Sequence, residues 1–225
     1  MADLVNLDLQ TLNLHYGLNQ DDPSLTHLEQ QELTKPVDRK VYSDRIIYES
    51  GSMPLSKSVG PPRLCYFGEA RFGQQRYTGM LQPVPYRAPE VLLGIPWTFS
   101  ADIWNAALVV WVMLEGRLLF TGIDERGAAS IEHQLARFVA VLGIPPRELL
   151  TRGDQPLRYF DEEGKWIGAT AIPELSLELS LETLQSKEAA IFLDFMRKML
   201  CWIPEERHTA KQLLLHPWLD PCGSI

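Results

Sequence analysis

The stretch ADIWNAALVVWVMLEGRLLF, residues 101–120, is the most apolar part of the 225-residue chain. Asp102 and Glu115 are its only charged residues before Arg117. Because apolar residues occur all round it, the stretch predicts a helix enclosed by the rest of the domain rather than one lying on its surface. Asp102 falls in the first turn, where a carboxylate suits the positive end of the helix dipole, and Gly116 is a suitable C-cap.

Two later segments have the periodicity of amphipathic helices that could cover this central helix. The apolar face of the first contains Ile131, Leu135, Phe138, Val139 and Leu142. The apolar face of the second contains Ala189, Phe192, Leu193, Met196, Met199 and Leu200. No internal repeat and no Gly/Ser linker divides the chain, so a single, mainly α domain is predicted.

Composition indicates a globular, intracellular protein of the cytoplasm or nucleus. Hydrophobic residues make up 45% of the chain, which is enough for a sizeable core. The uncharged run 103–114 is too short for a bilayer, which needs about 20 apolar residues, and residues 1–10 lack the pattern of a signal peptide. Cys65, Cys201 and Cys222 have no metal-ligand spacing, so neither a disulfide framework nor a zinc site is expected.

The acidic charge of the chain bears on which classes of partner it can bind. The formal net charge is -8, which disfavours direct binding to nucleic acid and is compatible with a basic partner. Residues 143–184 hold eight acidic and four basic residues. The acidic residues are Glu148, Asp154, Asp161, Glu162, Glu163, Glu174, Glu178 and Glu182. This segment is either a docking surface for a basic peptide or a solvated acidic loop.

The N-terminal third predicts an exposed insertion. Asp22-Pro23 suits the start of a helix, and leucines at 25, 28 and 33 give a poorly amphipathic pattern that stops before Pro36. Residues 37–62 are polar and end in a Gly/Ser/Pro-rich run, so they predict a long loop with a strand-like piece at 45–48.

Five short motifs follow one another along the chain. They are Asp8-x4-Asn13, Tyr66-Phe67-Gly68, Tyr86-Arg87-Ala88-Pro89-Glu90, Asp102-x-Trp104 and Arg207-x-Thr209-Ala210. In this order they resemble the C-terminal lobe of a serine/threonine protein kinase. The segment 142–146, LGIPP, is similar to the start of an insert in the group with cyclin-dependent, mitogen-activated and SR-protein kinases. The length of the insert and the FGEAR segment at 67–71 make the fungal-type SR-protein kinase branch the best match.

The resemblance implies a domain of the α+β family with a kinase-like C-lobe. Its parts would be a catalytic-loop remnant over 5–14, an insertion over 19–62, an activation segment over 66–90, a helical core over 101–142, an acidic insert over 143–184 and C-terminal helices over 186–219. The Gly-rich loop and the lysine that contact ATP phosphates belong to the N-lobe. Only seven residues precede Asp8, so the N-lobe is expected to be missing.

The resemblance also implies site residues and cofactors. In this family a catalytic-loop aspartate accepts the proton of the substrate hydroxyl, while an asparagine five residues later and the aspartate of Asp-Phe-Gly hold magnesium against ATP. These roles fall on Asp8 as the catalytic base and on Asn13 as the cofactor and metal ligand. Tyr66 replaces the second metal ligand, and a neutral phenol is a poor ligand for Mg²⁺. From the residues alone, Asp8 and Asn13 could equally be turn-forming residues.

Other positions depart from the family pattern. Asn6 and Leu7 stand in place of its His and Arg, Gln10 in place of a lysine, and Pro83 in place of a threonine. Because the N-lobe is expected to be missing and Tyr66 replaces the aspartate of Asp-Phe-Gly, we expect this chain alone to be inactive and not to hold ATP and magnesium.

The activation segment contributes structural residues, Phe67, Gly68 and Arg87, by the same resemblance. It also carries Tyr77 and Thr78. These two are either phosphorylation sites or ordinary loop hydroxyls.

Three further positions are implied to stabilise the lobe. Glu90 should pair with Arg207, and Asp102 should hold backbone amides of the catalytic loop. The alternative for the pair is a surface salt bridge worth about 0–1 kcal/mol.

Three functional interpretations stay open from the sequence. The first is a serine/threonine kinase whose sequence is truncated. The second is a pseudokinase that binds a basic Arg/Ser-rich protein, or another kinase, without catalysis and without contacting a membrane. The third is a degenerate fragment that folds poorly.

Overall fold

The computed structural model describes residues 4–6, 8–19, 22–50, 59–73, 75–153 and 155–220. Its strands are β1 Leu4–Val5, β2 Leu14–Leu18, β3 Arg39–Val41, β4 Ile46–Tyr48, β5 Val59–Leu64 and β6 Arg71–Phe72. Its α-helices are α1 Pro23–Thr34, α2 Pro89–Leu92, α3 Ser100–Glu115, α4 Ile131–Leu142, α5 Arg147–Leu150, α6 Leu177–Ser180, α7 Ser186–Arg197 and α8 Ala210–Leu213. Two compact units result: a helical unit of Met1–Asn13 with Tyr66–Ile225, and a small unit of Leu14–Cys65.

Helix α3 is the centre of the helical unit, as the sequence predicts. Eight of its residues are buried, including Trp104, Leu108 and Trp111. It ends at Glu115, earlier than the apolar stretch, because Gly116 takes a left-handed conformation with φ of 67°. The prediction of burial on all sides is wrong at the last turn, where Met113 is 63% exposed.

Aromatic side chains join α3 to the segments around it. The Trp104 ring lies 4.9 Å from the Phe138 ring of α4 and 5.9 Å from the Phe120 ring. The Trp111 ring lies 6.1 Å from the Phe192 ring of α7. The two predicted amphipathic helices therefore do cover the central helix, although α7 ends at Arg197 and leaves Met199 and Leu200 in the following turn.

The acidic segment 143–184 is anchored in the helical unit rather than being a free loop. It contains α5 and α6, and Phe160 is fully buried. The Phe160 ring meets the Trp202 ring edge-on at 6.1 Å. Asp154, counted among its acidic residues, lies outside the described residues.

In its described residues, the small unit contains two antiparallel pairs of strands and one helix. Strand β2 pairs with β5, and β3 forms a hairpin with β4. Helix α1 begins where predicted, with the Asp22 carboxylate accepting the Ser24 N–H at 2.8 Å, and it buries none of its residues. Among the described residues of the small unit, only Asp22 is buried.

The predicted loop over 37–62 is wrong at β3 and at most of β5, whereas the strand-like piece predicted at 45–48 is confirmed by β4. Charged residues in β3 and two prolines in β5 hide the strand pattern, since proline is otherwise typical of edge strands and turns. Residues 51–58 of this segment lie outside the described residues. Across the described ranges, no helix has both the length and the apolar character needed to cross a membrane.

Candidate active site

Asp8 and Asn13, which the sequence pairs by spacing, come together in the structure. The Thr11–Asn13 turn of 3-10 helix buries Asn13, and its Nδ2 donates to the Asp8 backbone oxygen at 2.7 Å and to Asp8 Oδ2 at 2.6 Å. Gln10 Nε2 donates to Asp8 Oδ1 at 2.8 Å. Each carboxylate oxygen of Asp8 therefore already accepts a hydrogen bond from an amide.

Asp102 holds this loop to the start of α3. Its Oδ2 accepts the backbone N–H of Asn6 at 2.6 Å, and Asn6 Oδ1 accepts the backbone N–H of Asp8 at 3.1 Å. The predicted contact between Asp102 and backbone amides of residues 5–14 is therefore observed at Asn6, and a catalytic role for these residues stays a prediction. Asn6 is buried, and its Nδ2 has no hydrogen-bond partner within the described residues. Leu7, at the next family position, lies outside the described residues.

Tyr66 and Phe67 lie on the surface of the helical unit. Tyr66 is 65% exposed. Its backbone φ is 61°, which is uncommon for a residue other than glycine. Phe67 is 49% exposed, and Gly68 has open space where a Cβ would stand. The sequence gives no sign of this exposure, because Phe67 is one of the most apolar residue types.

Gln82 and Arg87 fix the end of the activation segment. Gln82 is buried with a φ of 71°, and its carbonyl accepts Arg87 Nε at 2.9 Å. Burial lowers the pKa of the Arg87 guanidinium. Gln82 Nε2 donates to Asn105 Oδ1 at 3.0 Å, Gln82 Oε1 accepts the Ala88 N–H at 3.0 Å, and Asn105 Nδ2 donates to the Tyr86 carbonyl.

Gln82 and Asn105 are buried, hydrogen-bonded positions that the sequence motifs do not include. A signal for Asn105 exists, because an uncharged polar residue in the middle of an apolar helix needs a hydrogen-bond partner. Gln82 has no comparable signal, since its role depends on a backbone conformation that glutamine rarely adopts.

Glu90 and Arg207 form the buried pair that the sequence predicts. Arg207 Nη1 and Nη2 donate to the two Glu90 carboxylate oxygens, each at 2.7 Å, and both side chains are 0% exposed. Arg207 also donates to the Ser100 carbonyl at 2.9 Å and to the Cys201 carbonyl at 3.2 Å, and its guanidinium lies 5.2 Å from the Trp104 ring. The alternative of a surface salt bridge is therefore wrong.

Tyr77 has a packing role in this structure. Its ring stacks on Trp97 at 5.1 Å, its backbone forms a bridge with Trp97, and its hydroxyl donates to the Phe72 carbonyl. Thr78 is exposed. Phosphorylation of either residue stays a prediction.

The donor groups at this site do not fit a magnesium ion. Mg²⁺ is usually held by one or two carboxylates together with phosphate oxygens. Of the two positions that hold it in protein kinases, Asn13 keeps the amide ligand of the family, but Tyr66 offers a neutral phenol in place of the anionic aspartate. No group of three or more His, Cys, Asp or Glu side chains suited to a metal ion occurs among the residues that the structure describes.

Comparison with known proteins identifies the family. The model of the protein kinase domain matches residues 54–219. The chain therefore belongs to the protein kinase family. The matched range contains Tyr66, Glu90 and Arg207 but not Asp8 or Asn13.

Its curated relatives include serine/threonine kinases of three organisms. The chain is 41% identical over 90% of its length to a serine/threonine protein kinase of Aspergillus fumigatus, covering 52% of that protein. It is 32% identical over 70% of its length to the probable serine/threonine-protein kinase sky1 of Dictyostelium discoideum, covering 24% of it. It is 31% identical over 70% of its length to the serine/threonine-protein kinase SKY1 of Saccharomyces cerevisiae, covering 22% of it. The chain thus spans about half the length of the Aspergillus relative and less of the others.

Proposed function

We propose that this chain retains the hydroxyl-orienting part of a serine/threonine protein kinase of the SR-protein kinase branch and lacks a working metal-binding part. By itself it then binds a protein partner without phosphorylating it. The observation that carries the proposal is the contrast between Asp8, held by Asn13, and Tyr66 at the position of a metal-binding aspartate.

The first half of this contrast concerns Asp8. Asn13 donates to both its backbone oxygen and its carboxylate, which fixes the orientation of the carboxylate. In the family reaction an aspartate so placed accepts the proton of the substrate hydroxyl. Gln10 occupies the other carboxylate oxygen at 2.8 Å, so a substrate hydroxyl would have to displace an amide.

The second half concerns Tyr66. ATP bound to magnesium supplies the phosphoryl group in this family, and its charge is neutralised by the metal ion. Asn13 keeps the amide that the family uses at its position, but the phenol of Tyr66 supplies no negative charge where the family has an aspartate. The chain could therefore orient a substrate hydroxyl but could not hold the magnesium ion that neutralises the ATP phosphates.

The purified 225-residue chain is expected to show no transfer of radiolabelled phosphate from Mg-ATP to a Ser/Thr peptide, and no shift of its melting temperature with Mg-ATP. Tyr66→Asp is expected to restore little transfer, because Gln10 still occupies Asp8. The matched controls are Tyr66→Phe, which changes the same exposed position without adding charge, and Asp8→Asn. Transfer by the unmodified chain that Asp8→Asn abolishes would overturn the proposal.

A second candidate function is the binding of a basic, Arg/Ser-rich peptide. A groove of about 820 Å³ in the helical unit is lined in part by Asp124, Glu125 and His133, with Arg126 as a cationic exception. Beside it, the pKa of the Glu132 carboxyl is lowered, chiefly by the hydrogen bond that it accepts from the Thr170 backbone N–H at 2.6 Å. These carboxylates give the groove a negative field that suits an arginine-rich peptide.

The acidic insert supplies a second patch of the same sign. Glu162 and Glu163 are exposed. Asp161 has a different role, because its Oδ1 accepts the backbone N–H groups of Glu163 at 3.0 Å and Lys165 at 2.8 Å. Charge reversal at Asp161 would therefore disturb the turn, whereas reversal at the two glutamates tests charge alone.

A synthetic Arg/Ser-repeat peptide is expected to bind the chain at low salt and to bind more weakly as salt rises, since exposed charges are screened. Glu162→Lys with Glu163→Lys should weaken binding in isothermal titration calorimetry. Glu188→Lys with Glu206→Lys is the matched control, because both residues are exposed, lie outside the insert and change the net charge equally. Equal weakening by both double variants would show that only the net charge matters and that docking at the insert is wrong.

A further inference from the structure

Among the described strands of the small unit, the outer edge of β4 has no partner strand. Its sheet has the order β3-β4, so no other described strand lies beside β4. The side chains of Ile46, Ile47 and Tyr48 are 47%, 48% and 54% exposed. An exposed apolar strand edge is a template for pairing with another chain, and natural proteins normally protect it.

The described residues of the small unit also lack the burial that would stabilise such a hairpin. A two-stranded hairpin is marginally stable in water, and three or more strands are needed for independent stability. Strands β3 and β4 are exposed at every residue. Pairing with two further strands would give the hairpin the additional strands and burial that the described residues of this unit do not provide.

The register of the hairpin shows which backbone groups point outward. Ile47 lies opposite Lys40, and the flanking hydrogen bonds run from the Tyr42 N–H to the Arg45 carbonyl and from the Glu49 N–H to the Asp38 carbonyl, each at 2.8 Å. Hydrogen-bonded and non-hydrogen-bonded pairs alternate in an antiparallel ladder. The N–H and C=O groups of positions 45, 47 and 49 therefore face β3, and those of positions 46 and 48 face the free edge.

This pattern is self-complementary about Ile47. If two β4 strands pair antiparallel with Ile47 opposite Ile47, each Ile46 lies opposite Tyr48 of the other copy, and both have outward backbone groups. The same register places Arg45 opposite Glu49. A shift that centres the pairing on Ile46 or on Tyr48 keeps the outward groups in register but separates these two charges.

We propose that two copies of the chain associate through β4 in this register, forming a four-stranded antiparallel sheet with the order β3-β4-β4-β3. Backbone hydrogen bonds between positions 46 and 48 join the copies, and two Arg45–Glu49 ion pairs select the register. Within each copy, Arg45 contacts the Asp44 carboxylate at 3.0 Å and lies over the Tyr42 ring at 5.1 Å. Both partners of the Asp44 contact are at least 60% exposed, so water screens it and the side chain can re-orient at little cost.

Sedimentation velocity over a concentration series of the full 225-residue chain tests the association. A monomer–dimer equilibrium that weakens with salt is expected, because the charge pairs are exposed. Arg45→Glu and Glu49→Arg should each lower the association constant by at least about fivefold, since each places like charges opposite one another twice. The matched controls, Lys187→Glu and Glu188→Arg, change the net charge equally at exposed positions of α7 and should leave association unchanged.

The charge swap gives the sharper result. An equimolar mixture of Arg45→Glu and Glu49→Arg should form heterodimers, and the double variant Arg45→Glu/Glu49→Arg should self-associate like the parent. A chain that stays monomeric, or a mixture and double variant that fail to recover association, would overturn the proposal.

Proline at position 48 tests the backbone contribution. Tyr48→Pro removes an N–H that faces the free edge and spares those that face β3, and proline is compatible with an extended preceding residue. It should abolish association, whereas Tyr48→Thr, which keeps the N–H, should only weaken it. Dimers of unchanged stability in Tyr48→Pro would place the contact elsewhere.

Discussion

Arg207→Ala is expected to lower the free energy of unfolding by about 3–5 kcal/mol in urea or guanidinium denaturation. The substitution leaves the Glu90 carboxylate buried without its bidentate partner, and an uncompensated buried charge is among the costliest defects in a protein interior. It also removes donors to the Ser100 and Cys201 carbonyls and the contact with the Trp104 ring. The loss should therefore exceed that from a surface pair.

Arg197→Ala is the matched control for this prediction. Arg197 pairs with Glu178, but these side chains are 51% and 54% exposed, so the loss should be about 0–1 kcal/mol. Adding Glu90→Gln to Arg207→Ala should cost less than the sum of the two single losses, because the second change relieves the unpaired charge. A loss below about 1 kcal/mol for Arg207→Ala would contradict a buried pair.

The features that could be predicted from the sequence depend on residue types that occur in recognisable motifs or in long apolar stretches. The buried Glu90–Arg207 pair joins residues 117 positions apart, yet both belong to specific motifs. The enclosed part of α3 follows from an apolar stretch that is too long for a typical strand and too short to cross a bilayer. The spacing singles out Asp8 and Asn13 as a motif but does not predict the hydrogen bond between them. Their catalytic and metal-binding roles stay proposals.

The features that could not be predicted depend on backbone conformation or on very short elements. Gln82 acts through a positive φ and a partner 23 residues later in α3. Strand β3 has only three residues, two of them charged, which is too short for an alternating pattern to stand out. The exposure of Tyr66 depends on which segments pack against it in the folded protein, and the sequence around Tyr66 does not predict that packing.

The arrangement around Gln82 links the packing of the helical core to the candidate site. Asn105 of α3 contacts both Gln82 and the Tyr86 carbonyl. Gln134 of α4, which is fully buried, donates to the Val84 carbonyl at 2.7 Å. Two core helices therefore hold the backbone of residues 82–88 directly, so a defect between those helices should reach the activation segment.

Phe138→Ala tests this link and is expected to cost about 3–5 kcal/mol of unfolding free energy, the usual range for removing a buried aromatic ring. Phe138 is fully buried, and its ring lies 4.6 Å from that of Phe120 and 4.9 Å from that of Trp104. The cavity would open beside Gln134, one turn earlier in α4. Amide hydrogen exchange at residues 82–88 should therefore accelerate along with the loss of stability.

Phe72→Ala is the matched control for Phe138→Ala, because it removes the same ring from a side chain that is 72% exposed in β6 of the same unit. Its backbone carbonyl still accepts the Tyr77 hydroxyl, so the change should stay within about 0.5 kcal/mol and leave exchange at 82–88 unaltered. Phe138→Leu, which refills part of the volume, should fall between the two in both measurements. Equal losses for Phe138→Ala and Phe72→Ala would show that the aromatic cluster does not stabilise the helical unit. A large loss without faster exchange at 82–88 would show that the hydrogen bond from Gln134 does not transmit the defect to the activation segment.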